Sequence, residues 1–393
     1  MALPSELIAR ILAFALAADP HRDLLEGSGR LSRAALARLL ARRDWLRTVQ
    51  LVDRAWSDVA AAAARRDVLL TSAWALSLFA AQAGRYGKDT RSLVFHPLDE
   101  ADITVESVTA CGRLLDRLPA LESLLVVSPL VRGPDPDDAG DCGAWHSPYC
   151  DPPFRWPATL RQASVPIGWL PAAWSERSGG LDALQLGPLC SAAMFQLAVH
   201  RIARSTAIRS LDITASPSFM DMGELALLLN ATVGLKELRL RCFGTSEIRP
   251  LGQFLARGGV RLDGLETLVV DAVCSFLFTP LFHLPSSLRE LTVQPFEWPD
   301  HPEDVPALVC VELDRFFEFV DCGGYPDLRA LTLVERADMA AGATIDWAAF
   351  GAKWSATRDL QLHYSVVTVR AVLICRADAP AVRGVIVRRW GSH

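Results

Sequence analysis

Two hydrophobic rhythms run along the chain. In the first, apolar residues recur every three or four positions. Leu7, Ile8, Ile11 and Leu12 make one such stripe, opened by Pro4 and Glu6, which suit the first turn of a helix. A second stripe of Leu46, Val49, Val52, Trp56 and Val59 predicts a helix from Asp44, a candidate N-cap, to about Ala64. Neither helix would be stable alone in water, so each must bury its stripe against a partner.

From about residue 90 the rhythm changes to L-x-x-L-x-L. Strong copies begin at Leu121, Leu181, Ile208, Leu235, Leu265, Leu288, Leu328 and Val382, and weaker ones at Thr90, Leu160 and Thr357. Their separations run from roughly 21 to 40 residues, most often about 27. Helical periodicity fills the gaps at Val105–Leu118, Ala192–Arg204, Met222–Leu229, Leu251–Arg257, Leu308–Val320 and Trp347–Trp354, with Gly or Pro before the next copy. A short strand alternating with a helix predicts an α/β solenoid with parallel strands and helices on its outer face. The domains expected are a helical one over 1–66, carrying an insertion at about 19–43, and the solenoid over 67–393.

In each copy the leucines point into the core, so the intervening residues face the other way. That set includes Asp212, Glu237, Arg239, Arg241, Asp271, Glu290, Gln294, Gln361 and His363, a surface of mixed charge suited to a protein target. One segment breaks the array: Pro129 to Pro157 holds seven prolines with Trp145, Tyr149, Phe154 and Trp156, a loop of unusual length for a compact domain.

Composition narrows the function classes. A chain of 393 residues that is 51% hydrophobic and 22% charged can bury a large core. The net charge of −5 is spread without a basic tract, so neither nucleic acid nor a membrane is an expected partner. Nine scattered cysteines, several within apolar runs, point to reduced thiols and a cytoplasmic or nuclear location. The apolar run Ile11–Ala18 ends in Ala-x-Ala, but Glu6 and a single Arg10 precede it, against a secretory signal. Signatures of hydrolases, metalloproteases and nucleotide-binding loops are missing. Gly87-Lys88-Asp89-Thr90 imitates the end of a P-loop but has Asp89 at the hydroxyl position and Gln82 where a glycine is required. Cys142, His146 and Cys150 have no second ligand pair at zinc spacing. No enzyme, metal or cofactor is expected.

The N-terminal residues resemble a known family. Leu3-Pro4-x-Glu6-Leu7-Ile8-x-x-Ile11-Leu12, followed by Leu46 to Ala60 with Leu51-Val52-x-Arg54-x-Trp56, is similar to an F-box. The insertion between the halves and Asp53, where the family often has Cys, depart from its pattern. The repeats resemble divergent leucine-rich repeats, lacking the asparagine or cysteine that usually follows the strand. The resemblance implies a non-enzymatic substrate adaptor of a Skp–cullin–F-box ubiquitin ligase. Leu3, Pro4, Leu7, Ile8, Leu46, Val52 and Trp56 would then contact a Skp-type adaptor, and through it a cullin, while the solenoid binds a protein target. A repeat scaffold without a role in degradation is the alternative.

Overall fold

The computed structural model describes residues 4–15, 33–52, 54–97, 110, 112–126, 156–167, 170, 181–189, 192–202, 208–215, 222–232, 234–242, 262, 264–271, 285–296, 325–336, 361–367, 372–376 and 386–389. The chain divides into two compact units, Met1–Ile208 and Arg209–His393. The boundary expected at residue 66 falls inside the first of them.

The first unit opens with α1 (Ser5–Ala15), α2 (Arg33–Val49) and α3 (Arg54–Arg66). Ile8 and Leu12 of α1 meet Leu46 and Val49 of α2 and Ala60 of α3 in one buried cluster, with Trp56 and Val59 packed against it. The long helix expected from Asp44 is therefore two helices. Leu51 and Val52 donate to Thr48 and Val49, three residues back, and this tight turn ends α2. Asp44 is no N-cap: it lies inside α2, with Oδ1 3.3 Å from Arg43 and 3.8 Å from Arg47. Arg33–Arg43, expected to belong to an insertion, is the first part of that same helix.

No linker follows the bundle. Arg66 ends α3 and Asp67 begins β1 (Asp67–Leu70). After β1 come α4 (Ala73–Tyr86), capped by Ser72 Oγ accepting from the Ala75 amide at 3.1 Å, and a 3-10 turn at Gly87–Asp89. Strands β2 (Ser92–Phe95), β3 (Ser123–Val126), β4 (Gln162–Val165) and β5 (Ala183–Leu189) add in chain order, all parallel, and α5 (Ala192–Ile202) follows. Leu93, Phe95, Leu124, Val126, Ala163, Val165, Leu184 and Leu186 are buried on one face of this sheet.

The second unit continues the scheme with β6 (Ser210–Ala215), α6 (Met222–Ala231), β7 (Glu237–Cys242), β8 (Thr267–Asp271), β9 (Glu290–Phe296), β10 (Ala330–Arg336) and β11 (Gln361–Val367), the strands again parallel. Pro295 lies where the β9–β10 register shifts, a position that needs no ladder amide. Ten of the expected repeats coincide with β2 to β11. Two expectations at the end of the array need correction. Leu331 pairs with Leu362 rather than Leu360, so the copy expected at Thr357 sits two residues later. The copy at Val382 is not a parallel repeat, because β12 (Val372–Arg376) and β13 (Ile386–Arg389) close the sheet as antiparallel strands. The helices expected at Leu251–Arg257, Leu308–Val320 and Trp347–Trp354 lie outside the described residues.

One backbone device joins successive strands. Before seven of the strands a turn closes from residue i to i+3 on the first position of the motif: Thr90 to Gly87, Leu121 to Leu118, Leu160 to Pro157, Leu235 to Thr232, Leu265 to Leu262, Leu288 to Pro285 and Leu328 to Tyr325, at 2.9 to 3.3 Å. The carbonyl of the next residue then accepts two amides from the following repeat. Arg91 accepts from Glu122 and Ser123, Glu122 from Arg161 and Gln162, and Arg161 from Asp182 and Ala183. Arg209, Lys236, Glu266 and Arg289 do the same in the second unit. Thr90 stands at the first motif position of β2 in place of leucine; it is buried, and its hydroxyl donates to the Arg65 carbonyl at 3.0 Å.

Gly87, read above as part of an imitation P-loop, has a packing reason to be glycine. A Cβ there would lie 2.5 Å from the Arg117 carbonyl oxygen and 2.9 Å from Leu118 Cδ2. Gly84, in α4, faces open space. Gly87→Ala is expected to destabilise the chain by about 1–3 kcal/mol, whereas Gly84→Ala should stabilise it by about 0.8–1 kcal/mol. Urea denaturation of both variants checks the pair, and equal effects would refute the packing account.

Candidate docking and target-binding surfaces

The bundle fills its own core and leaves apolar side chains outside it. Ile8 and Leu46, both candidates for adaptor contact, are buried within the chain at 1% and 4% exposure. Trp56 is partly buried against the same cluster. Pro4 is exposed, Leu7 is 43% exposed and Val52 63% exposed. Leu3 lies outside the described residues. Two further residues join the exposed set: Ile11, one turn after Leu7 on the same side of α1, and Leu51, at 84% the most exposed large apolar residue described. Both stand within the two motifs, and their signal was readable. Of the stripe Leu7, Ile8, Ile11 and Leu12, only Ile8 and Leu12 enter the core.

The face of the sheet opposite the leucines carries the target-binding candidates, and it differs along the chain. In the first unit its middle row runs Leu69, Val94, Leu125, Ser164, Gln185 across β1 to β5. Leu39 of α2 packs on Leu69, Val94 and Leu125 in a buried cluster. Beside it, Arg42 Nη2 lies 2.5 Å from Asp67 Oδ2. Thus α2 covers this face over the first three strands. At β4 and β5 the row turns polar, and Ser164 Oγ donates to Gln185 Oε1 at 2.8 Å.

In the second unit the register places Asp212 beside Arg239, and Ser210 beside Glu237, with Thr267 and Glu290 continuing the Glu237 row. Glu237 is held at both oxygens: Ser210 Oγ donates to Oε2 at 2.9 Å, and Arg239 Nε and Nη2 lie 2.6 Å from Oε1. Glu290 is exposed. Asp212 lies on the expected face but is buried, as is Thr214. The backbones of Arg241, Asp271, Gln294, Gln361 and His363 keep the expected strand parity; their side chains lie outside the described set. Cys142, His146, Cys150 and most of the Pro129–Pro157 loop are likewise outside it. Among the described residues no group of three His, Cys, Asp or Glu side chains is placed to hold a metal ion, and no helix is long and apolar enough to cross a membrane.

A charged rim borders the strand starts. Each carbonyl that accepts two amides belongs to a residue whose side chain leaves the core, and every such residue is charged. Opposite signs meet where neighbours allow it. Glu122 pairs with Arg91, and Glu266 sits between Lys236 and Arg289 at 2.7 and 3.1 Å. The hydrogen bond from Lys236, helped by the Arg289 and Lys236 charges, holds the Glu266 carboxyl below its ordinary 4.5 despite some desolvation. No protein-family model and no curated protein matches the chain.

Because the folded carboxyl is the stronger acid, its stabilising effect is full above about pH 4.5 and is lost as pH falls through the lowered value. A carboxyl-carbon titration is expected to place Glu266 below its ordinary value of 4.5. In Lys236→Met it should return toward the ordinary value; an unchanged midpoint in the variant would remove Lys236 as the cause.

Proposed function

We propose that the chain is an F-box-type substrate adaptor, whose helical bundle docks a Skp-type adaptor, and through it a cullin, and whose repeat-built sheet binds a protein target. The observation that carries the reading is the exposed apolar set Leu7, Ile11, Leu51 and Val52 on a bundle whose core is already complete. A bundle that has filled its interior has no packing reason to keep a Leu–Ile pair one turn apart in water, nor Leu and Val in an exposed turn. These residues fall in the two sequence elements that resemble an F-box. Burying each on a partner is worth about 1.5–3 kcal/mol, enough for a small interface to be stable. On this reading the repeats form a divergent leucine-rich-repeat solenoid. Its polar face over β6 to β9 is the target surface, since the corresponding face of β1 to β3 is occupied by α2. Transfer of ubiquitin is left to a separate enzyme, and the adaptor contributes proximity.

Co-expression of the full chain with a Skp-type adaptor is expected to yield a stoichiometric complex. Leu7→Asp combined with Leu51→Asp should weaken that complex at least 100-fold, on the order of 3 kcal/mol, without lowering the thermal midpoint, since neither residue belongs to the core. A well-folded wild-type chain that fails to bind would overturn the proposal, as would undiminished binding by the double variant.

A further inference from the structure

We infer that α2 makes the helical bundle and the first three strands one cooperative folding unit, so that the bundle is not an autonomous domain. The C-terminal half of α2 places Leu46 and Val49 in the bundle core, and its N-terminal half places Leu39 on Leu69, Val94 and Leu125 of the sheet. One rigid rod thus carries residues of two cores, seven to ten positions apart, on the order of 10–15 Å along its axis. Three further contacts act in parallel. Arg42 pairs with Asp67 at 2.5 Å. The Arg65 carbonyl, in the last turn of α3, accepts from the Thr90 hydroxyl, and the Arg66 carbonyl accepts from the Arg91 amide at 2.9 Å. With no residue between α3 and β1, the bundle has no hinge at which to separate.

The consequence is energetic. Opening the bundle would strip Leu39 from the sheet and expose Leu69, Val94 and Leu125. Opening the sheet would leave α2 with an unpartnered apolar face. Regions sharing core contacts in this way open together, and anything that binds one of them stabilises the other.

Native-state hydrogen exchange on the full chain, followed through increasing sub-denaturing urea, tests this without any variant. Amides of α1 and α3 are expected to merge into the same opening isotherm as those of β1, β2 and β3. A bundle that opens on its own isotherm at lower urea, with the strands still protected, would overturn the inference. Two variants sharpen it. Leu39→Ala should accelerate exchange about 10-fold or more in α1 and α3, although Leu39 is not in their cluster. Val49→Ala should do the same in β2 and β3. Acceleration confined to the mutated side in both variants refutes the coupling; should either variant fail to fold, the wild-type isotherms still decide.

Discussion

The fold depends on one repeated backbone interaction: a carbonyl at the start of seven of the described strands that accepts two amides from the next repeat. Parallel strands cannot be linked by a tight hairpin, so register must be re-established after every crossover. Here it is re-established by the turn that closes on the first apolar residue. The turn aims the next two amides back at the preceding repeat, and the strand then has no alternative pairing. A slip of one residue would move every leucine to the wrong face. The charged rim follows from the same geometry. The accepting residue lies at the sheet border with its side chain in water, and its neighbours in adjacent repeats stand about 4.8 Å away. Charges of opposite sign there attract, as around Glu266, while an apolar side chain would gain nothing.

Much of this was readable from the sequence. The leucine motif located ten strands, because a period-two pattern bounded by Gly and Pro has few other meanings. It also assigned the two faces correctly, since parity survives even where register is misjudged, as at Gln361 and His363. The charge at the second motif position was equally visible in Arg91, Glu122, Arg161, Lys236 and Glu266. Without the turn geometry it had no interpretation. The copy at Val382 misled because L-x-x-L-x-L describes one strand and is silent on its neighbour; β12, with no such pattern, runs against β11, so β13 pairs antiparallel with β12 although it runs in the direction of β11.

What the sequence hid was long-range. Periodicity alone read Asp44 to Ala64 as one helix, because the apolar steps continue across the turn at Gln50–Val52. Val52 keeps the rhythm while facing solvent. Arg33–Arg43 read as an insertion against the F-box pattern, and no local pattern marks Leu39 as a contact of Val94 or Leu125. Gly87 is similar. Its constraint is the backbone of Arg117, and the nearest local resemblance, a P-loop, pointed elsewhere.

The middle row of the leucine-free face can be read again with this in mind. Leu69, Val94 and Leu125 are apolar where solenoid logic asks for polar residues, and Ser164 and Gln185 are polar, with Gln185 buried. Burying three aliphatic side chains is worth several kcal/mol, at about 1.5–3 each, so a sequence that keeps them implies a cover. The cover is the helix that also completes the bundle. Polar residues resume at β4 because α2 reaches no further than β3 in the buried cluster. In the second unit the face opposite the leucines carries Asp212, Arg239, Val269 and Thr292 in its middle row, with Asp212 and Val269 buried. Over the first three strands of this face, then, apolar side-chain character marks what the chain covers for itself. The exposed apolar residues of the bundle invert that rule, since Leu51 and Val52 have no intramolecular cover, and that inversion makes the bundle the stronger candidate for a permanent partner and the polar face for a selective one.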